Sequence, residues 1–335
     1  MAHLPKYEIV KNRLLAELRA GVYPAGGRIP TREELILKFG VTRTTINQAL
    51  KELVECGVLN TSRRGGTVFT GQEPPRRIAF LSLLDKNMAG HETQGDQTAV
   101  SLLNPLLFHA AEFNLEFIDI ARFEPEAEFF DRYDCVVAVM PDDRRLEKLS
   151  RYPDKVLFIN RYGESLQFIS TAHRETVREL VRNNVVAAGR GAQMFFLTAR
   201  NGSSFVECER RAGFIDECAA DQLFYRICET ASLDYDCIVA ALDVLPIEPG
   251  RPVLICSPFV AFSGAVIQWA RQRGWEFGRD IFYSDFDNPH ARRNTGEFIT
   301  SAVQDYAAMG RCLYESLQQW GAGPVRRYIP CRMVN

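Results

Sequence analysis

Lysine all but disappears from this 335-residue sequence after residue 77, where only Lys86, Lys148 and Lys155 remain. A cofactor held as a Schiff base needs one catalytic lysine in a shielded pocket, and none of the three stands in such a setting. A G-x-x-x-x-G-K phosphate loop, an H-E-x-x-H zinc motif and a G-x-S-x-G nucleophile turn are likewise missing. No catalytic residue, cofactor or metal is therefore expected. The nine cysteines include no C-x-x-C pair and read as small buried hydrophobes. Long apolar runs are also lacking. CVVAVM and MFFL fall far short of a membrane span, and MAHLPKYEIVKNRL carries charge where a signal peptide needs apolar residues. The expectation is a cytoplasmic protein with no membrane partner.

What is present is unevenly spread. The net charge is −2, yet residues 1–70 hold 11 Lys/Arg against 6 Asp/Glu. A basic head on an acidic body suits contact with a polyanion. The length exceeds what one hydrophobic core usually organises, so at least two domains are expected. Residues 6–20 place Ile9, Val10, Leu14, Leu15 and Leu18 on one helical stripe, which Gly21 stops. Thr31 can cap REELILKF, which Gly40 ends, and Thr42 can cap a third helix running to about Cys56. VLNTSRRGGTVFT then reads as a hairpin around a Gly-Gly turn. Three short helices and a hairpin describe a winged helix-turn-helix over residues 1–70, with GQEPPRR at 71–77 as linker.

From 78 to 335 the texture changes. RIAFLSLL, LEFIDI, CVVAVM, KVLFIN, QMFFLTA, PVLICS and DIFYSD read as buried strands. They alternate with helices expected at 96–113, 172–188, 206–220, 234–245, 259–273 and 305–319. This pattern implies an α/β body of parallel sheets flanked by helices, long enough for two lobes.

YPAGGRIPT, EEL, FGVTRTTINQALKELVECGVL and RRGGTVF resemble, in order and spacing, the GntR family of bacterial regulators over about residues 6–70. The resemblance implies that FGVTRTT opens a recognition helix and that the hairpin is a wing on double-stranded DNA. Arg43 then reaches guanine in the major groove, while Thr42, Thr44 and Thr45 hold phosphates. Asn47 and Gln48 stand as further base readers, and Arg63, Arg64 and Gly65 form the wing contact. Glu33 stands where the family commonly has Arg, so Arg32 takes the helix 2 phosphate role; Asn47 also replaces a common Arg. A capped helix start with solvated hydroxyls would explain the threonines equally well if that helix stood alone.

RRAGF at 210–214, PFVAFSGA at 258–265, DIFYSDFDN at 280–288 and ITSAVQDYAAMG at 299–310 resemble the effector domain of the lactose- and galactose-repressor family. That implies a two-lobed type I periplasmic-binding-protein-like domain, and the combination is similar to the arabinose-repressor type of chimeric regulator. The resemblance assigns Arg210 and Asp287 to the hydroxyls of a sugar-like ligand, Gln304 to a polar cleft position and Phe259 and Phe286 to stacking. Arg210 and Asp287 could instead form a structural ion pair, and both phenylalanines could be core. Ser257-Pro258, Ala172-His173 and Asn160-Arg161 depart from the usual polar pairs. His173 is either a replacement ligand or a helix cap. The reading that follows is a homodimeric repressor whose operator binding answers to a small polar metabolite. The alternative keeps the DNA-binding head on a degenerate pocket, with the body serving only dimerisation or protein contact.

Overall fold

The computed structural model describes residues 5–62, 65–72, 74–82, 95–124, 126–200, 204–288 and 299–334. Two compact units emerge, one of residues 1–168 with 310–326 and one of 169–309 with 327–335.

The first unit opens with α1 (Lys6–Arg19), which buries Val10, Leu14, Leu15 and Leu18, the stripe its spacing predicts. In α2 (Arg32–Phe39) the Thr31 hydroxyl accepts from the Glu34 N–H, and the Glu34 carboxylate accepts from the Thr31 N–H in return. Two orphan donors of the first turn are thus satisfied. Gly40 ends this helix at φ 64°, a left-handed conformation that costs glycine little. Thr42 caps α3 (Arg43–Glu55), whose Ile46, Ala49, Leu50 and Leu53 face the core. The antiparallel pair β1 (Leu59–Ser62) and β2 (Gly66–Phe69) closes that core with Leu59 and Phe69.

Next in the chain come β3 (Arg76–Ser82), α4 (Gly95–Phe108), β4 (Phe113–Asp119), α5 (Ala127–Phe130), β5 (Cys135–Val139), α6 (Asp143–Leu149), β6 (Val156–Ile159) and β7 (Gln167–Ser170). β3 runs parallel to both β4 and β5, and β5 to β6. The helix expected to reach residue 113 stops at Phe108 instead. Residues 113–119 pair in full register with 76–82, and that ladder overrides the helical spacing of the local sequence.

The second unit contains α7 (His173–Ala188), β8 (Gln193–Ala199), α8 (Phe205–Ala220), β9 (Tyr225–Thr230), α9 (Tyr235–Asp243), β10 (Val253–Cys256), α10 (Ser263–Gln272), β11 (Ile281–Phe286) and β12 (Ile299–Val303). After them come α11 (Tyr306–Gln318), β13 (Arg326–Tyr328) and β14 (Arg332–Val334). β13 extends the first sheet beside β7, giving the order β13-β7-β6-β5-β3-β4; the second sheet runs β14-β12-β11-β10-β8-β9. Its strands are parallel from β9 through β12, and β14 is antiparallel. Alternate residues of one strand feed opposite cores. Phe195 and Leu197 pack on one face of β8, Met194 and Phe196 on the other. A strand buried on both sides must be apolar throughout, and QMFFLTA is nearly so.

Candidate functional site

A polar cluster gathers at the carboxyl ends of β10, β11 and β12, the end at which open parallel sheets bind ligands. Arg210, in the second turn of α8, is fully buried at its centre. Its Nη1 donates to the Pro258 carbonyl at 2.5 Å, and its Nη2 lies 3.6 Å from the Asp287 carboxylate. The guanidinium sits 3.6 Å above the Phe286 ring centre. Burial pulls the Arg210 pKa down, and the Asp287 charge opposes that shift. A buried cation costs several kcal/mol unless it is paired and hydrogen-bonded, so these contacts explain how Arg210 is tolerated. Its Nε has no hydrogen-bond partner among the described residues, leaving one N–H of the fork uncommitted.

Asp287 follows β11 at φ 60°, and its side chain keeps 26% exposure. Gln304, after β12, is tied to it twice: the Gln304 backbone N–H donates to Oδ1 at 3.1 Å and Nε2 donates to Oδ2 at 2.9 Å. Nε2 also donates to the Tyr306 hydroxyl at 2.7 Å, while Oε1 accepts from Thr171 at 3.1 Å. His173 is buried at the start of α7, its Nδ1 3.4 Å from Arg210 Nη2. Burial and the Arg210 charge push its pKa well below the ordinary value, so the ring is neutral and Nδ1 can accept. Ala172 occupies the cap position of α7 with no side-chain bond, so His173 is not a helix cap.

Two aromatic expectations part company here. Phe286 is wholly buried and lies under the guanidinium, so its ring serves Arg210 and the core rather than a ligand face. Phe259 is half-buried, 5.5 Å from the same guanidinium, and packs against the core only in part. Arg210 and Asp287 do form an ion pair, yet at 3.6 Å and with one partner partly exposed it is a loose one.

In the head, Arg43 and Thr44 open α3 exposed to solvent, and Asn47 and Gln48 continue that face one turn later. The Thr42 and Thr45 hydroxyls lie 3.0 Å apart, and the Thr45 N–H donates to Thr42 Oγ1 at 3.4 Å. The first N–H groups of this 13-residue helix point out of its start, the usual position for a phosphate. Gln48 donates to Glu52 at 3.2 Å and Arg32 Nε to Asn47 Oδ1 at 2.9 Å. Gly65 begins the return of the wing, its N–H donating to Ser62 Oγ. Arg63 and Arg64 lie outside the described residues.

Residues 6–69 match the family of bacterial regulatory proteins named gntR. The head is a gntR-family domain. It is 40% identical over 81 residues to a probable fructoselysine utilization operon transcriptional repressor of Escherichia coli (strain K12), covering 24% of this chain and 33% of the relative. The match thus spans about a third of that relative's length. The body has the fold of LacI-type regulators. A regulatory protein of the LacI family from Chloroflexus aggregans superposes with a TM-score of 0.60 at 17% identity, covering 77% of this chain and 96% of the other. A probable maltose operon transcriptional repressor from Staphylococcus aureus gives 0.60 at 13% identity, covering 79% and 98%. Among the described residues no helix is long and apolar enough to cross a membrane, and no group of three His, Cys, Asp or Glu is placed to hold a metal.

Sequence reasoning missed three members of the polar cluster in the second unit. Ser257-Pro258 reads as the loss of a polar pair, whereas it is the Pro258 backbone carbonyl that grips Arg210. Tyr306 lies in the quoted ITSAVQDYAAMG motif, two residues past Gln304, and could have been drawn from it. Thr171 carries no signal beyond standing next to Ala172-His173. Gly213, the glycine of RRAGF, has a packing role instead. A Cβ there would lie 2.2 Å from the Arg174 carbonyl oxygen, so glycine lets α8 approach α7 closely enough to seat Arg210 beside His173.

Proposed function

We propose that this chain is a transcriptional repressor that binds an operator as a homodimer and releases or tightens its hold when a small polar metabolite enters the body. Residues 1–70 are the DNA-binding domain, 71–77 the linker and 78–335 the effector and dimerisation domain, working in the cytoplasm. Arg43 reads a guanine, Thr42, Thr44 and Thr45 with Arg32 and the Arg63-Arg64-Gly65 wing hold phosphates, and Asn47 and Gln48 face bases. The ligand is a sugar or sugar derivative. Its hydroxyls donate to Asp287 and accept from Arg210 and from the His173 ring N–H, with Gln304 holding Asp287 in the polar cleft and Phe259 covering one ring face. The chain brings no catalytic residue to this reading.

The observation that carries it is a buried Arg210, its Nε uncommitted, paired with a partly exposed Asp287 carboxylate at the carboxyl ends of parallel strands, in a chain whose head is of gntR type. The operon names of the fructoselysine and maltose repressors lend support to a carbohydrate. Ligand and DNA need only prefer different conformers for the two sites to be coupled.

Thermal unfolding across a panel of sugars, sugar phosphates and amino sugars tests the sensor. One compound is expected to raise the melting temperature in proportion to the logarithm of its concentration and to change operator affinity. A flat panel, with operator binding intact, would leave the body as a dimerisation or protein-contact module.

A further inference from the structure

Two side chains of α2 reach across to the exposed face of α3. Arg32 Nε donates to Asn47 Oδ1, and Glu33 lies 3.9 Å from Arg43 Nη2. Glu33 and Arg43 both keep about 70% of their side-chain exposure, so this second pair is weak and yields readily to a stronger partner. The first pair has a chemical consequence. An asparagine amide reads adenine by using both ends at once: Oδ1 accepts from N6 while Nδ2 donates to N7. While Oδ1 accepts from Arg32, Asn47 does not present both ends to one adenine. What remains beside it is a row of donors, the Asn47 amide N–H pair and the terminal guanidinium nitrogens of Arg32. In the major groove, guanine is the base that shows two adjacent acceptors, O6 and N7.

We propose that Arg32 is a positioning residue that turns Asn47 into a donor-only reader, so that the base facing Asn47 in the operator is guanine. The inference rests on the DNA-binding reading of the head. It assigns Arg32 a part in sequence selection in place of a phosphate contact alone.

Selection of sites from randomised duplex DNA by the full chain tests it, with wild type, Arg32→Ala and Asn47→Ala run side by side. The position governed by Asn47 is the one whose preference flattens in Asn47→Ala. Wild type is expected to enrich guanine there, and Arg32→Ala, which frees Oδ1, to shift that position toward adenine by about tenfold in relative enrichment. A merely structural role for Arg32 would lower enrichment everywhere without moving one position. That result, or guanine retained in Arg32→Ala, or adenine already preferred by wild type, overturns the inference while leaving the head a DNA reader. A wild type that enriches no sequence, even at low salt, overturns both.

Discussion

Asp285 offers a sharp test of the polar cluster, because it is a carboxylate lodged where a charge is costly. Its side chain is fully buried on β11, two residues before Asp287, and Asn288 Nδ2 donates to Oδ2 at 3.2 Å while Oδ1 has no partner among the described residues. Burial drives its pKa up to about 7 from 3.8, with Ser301 and Asn288 pulling the other way. The folded protein therefore holds a proton that the unfolded chain releases near pH 4. Stability is complete below the unfolded value and is lost as pH rises through the window to about 7. A rise of about 3 pH units amounts to roughly 4 kcal/mol above pH 7, at about 1.4 kcal/mol for each. Asp285→Asn keeps the shape and neutrality of the protonated acid at every pH. The variant should thus be more stable than wild type by roughly 4 kcal/mol at pH 8 and by less than about 2 kcal/mol at pH 5. At about 2–4 °C per kcal/mol for a domain of this size, the melting temperatures should differ by roughly 10 °C at pH 8. Circular dichroism melts of both proteins at pH 5, 6, 7 and 8 read the difference directly. His173, whose buried ring opposes protonation as pH falls, is common to both and cancels. A gap that stays constant across this range, or a variant less stable at pH 8, would refute the claim that folding neutralises Asp285.

Three further outcomes are expected. Arg43→Ala should cost on the order of 1–3 kcal/mol of operator affinity and relax preference at one base pair, as read by fluorescence anisotropy against operator and scrambled duplexes; unchanged discrimination removes Arg43 from base reading. Arg210→Met sets an apolar side chain against the Phe286 ring in place of the guanidinium and leaves Asp287 partly hydrated, so the chain should fold and bind operator while losing the thermal response to the proposed ligand. An unfolded Arg210→Met protein would mark Arg210 as structural instead. Gly213→Ala pushes a methyl group into the Arg174 carbonyl and should cost about 1–3 kcal/mol, whereas Gly264→Ala, with no atom within 4 Å of the added carbon, serves as a near-neutral control in the same melts.

Local signals made the head legible. Capping residues, a glycine stop and a helical apolar stripe act over a few residues, so Thr31, Gly40 and Thr42 mark helix ends that the chain adopts. The buried strands were legible for a related reason: QMFFLTA and PVLICS face apolar cores on both sides and can contain little else. The strands missing from that reading are short or carry polar residues: QFIS and ITSAV are interior yet hold Gln167, Ser170, Thr300 and Ser301. Tyr225–Thr230 alternates exposed and buried residues, and its short pattern blends with the surrounding loops. Arg210 and Asp287 could be named from motifs, but their geometry could not. A backbone carbonyl such as that of Pro258 leaves no trace in side-chain chemistry, and the capture of the Phe286 ring by a guanidinium depends on two elements 76 residues apart in the chain.

Backbone conformation adds an observation at the strand ends that residue types conceal. Four non-glycine residues among those described have positive φ: Met140, Asn160, Gln222 and Asp287. Met140 directly follows β5, Asn160 follows β6 and Asp287 follows β11, so three of the four stand just past the carboxyl end of a parallel strand. Such conformations cost on the order of 1 kcal/mol or more each and persist where the surroundings enforce them, commonly at binding sites. At Asp287 the enforcement is visible, since two Gln304 N–H groups hold its carboxylate while Arg210 faces it. Asn160, replacing an acidic residue of the familiar pattern, keeps this strained place even though its side chain has changed. Each sheet thus has a positive-φ residue just past the carboxyl end of a strand. Under the sensor reading proposed above, the place of Asp287 survives where Ser257 has lost its familiar side chain, which favours a changed ligand over a discarded site.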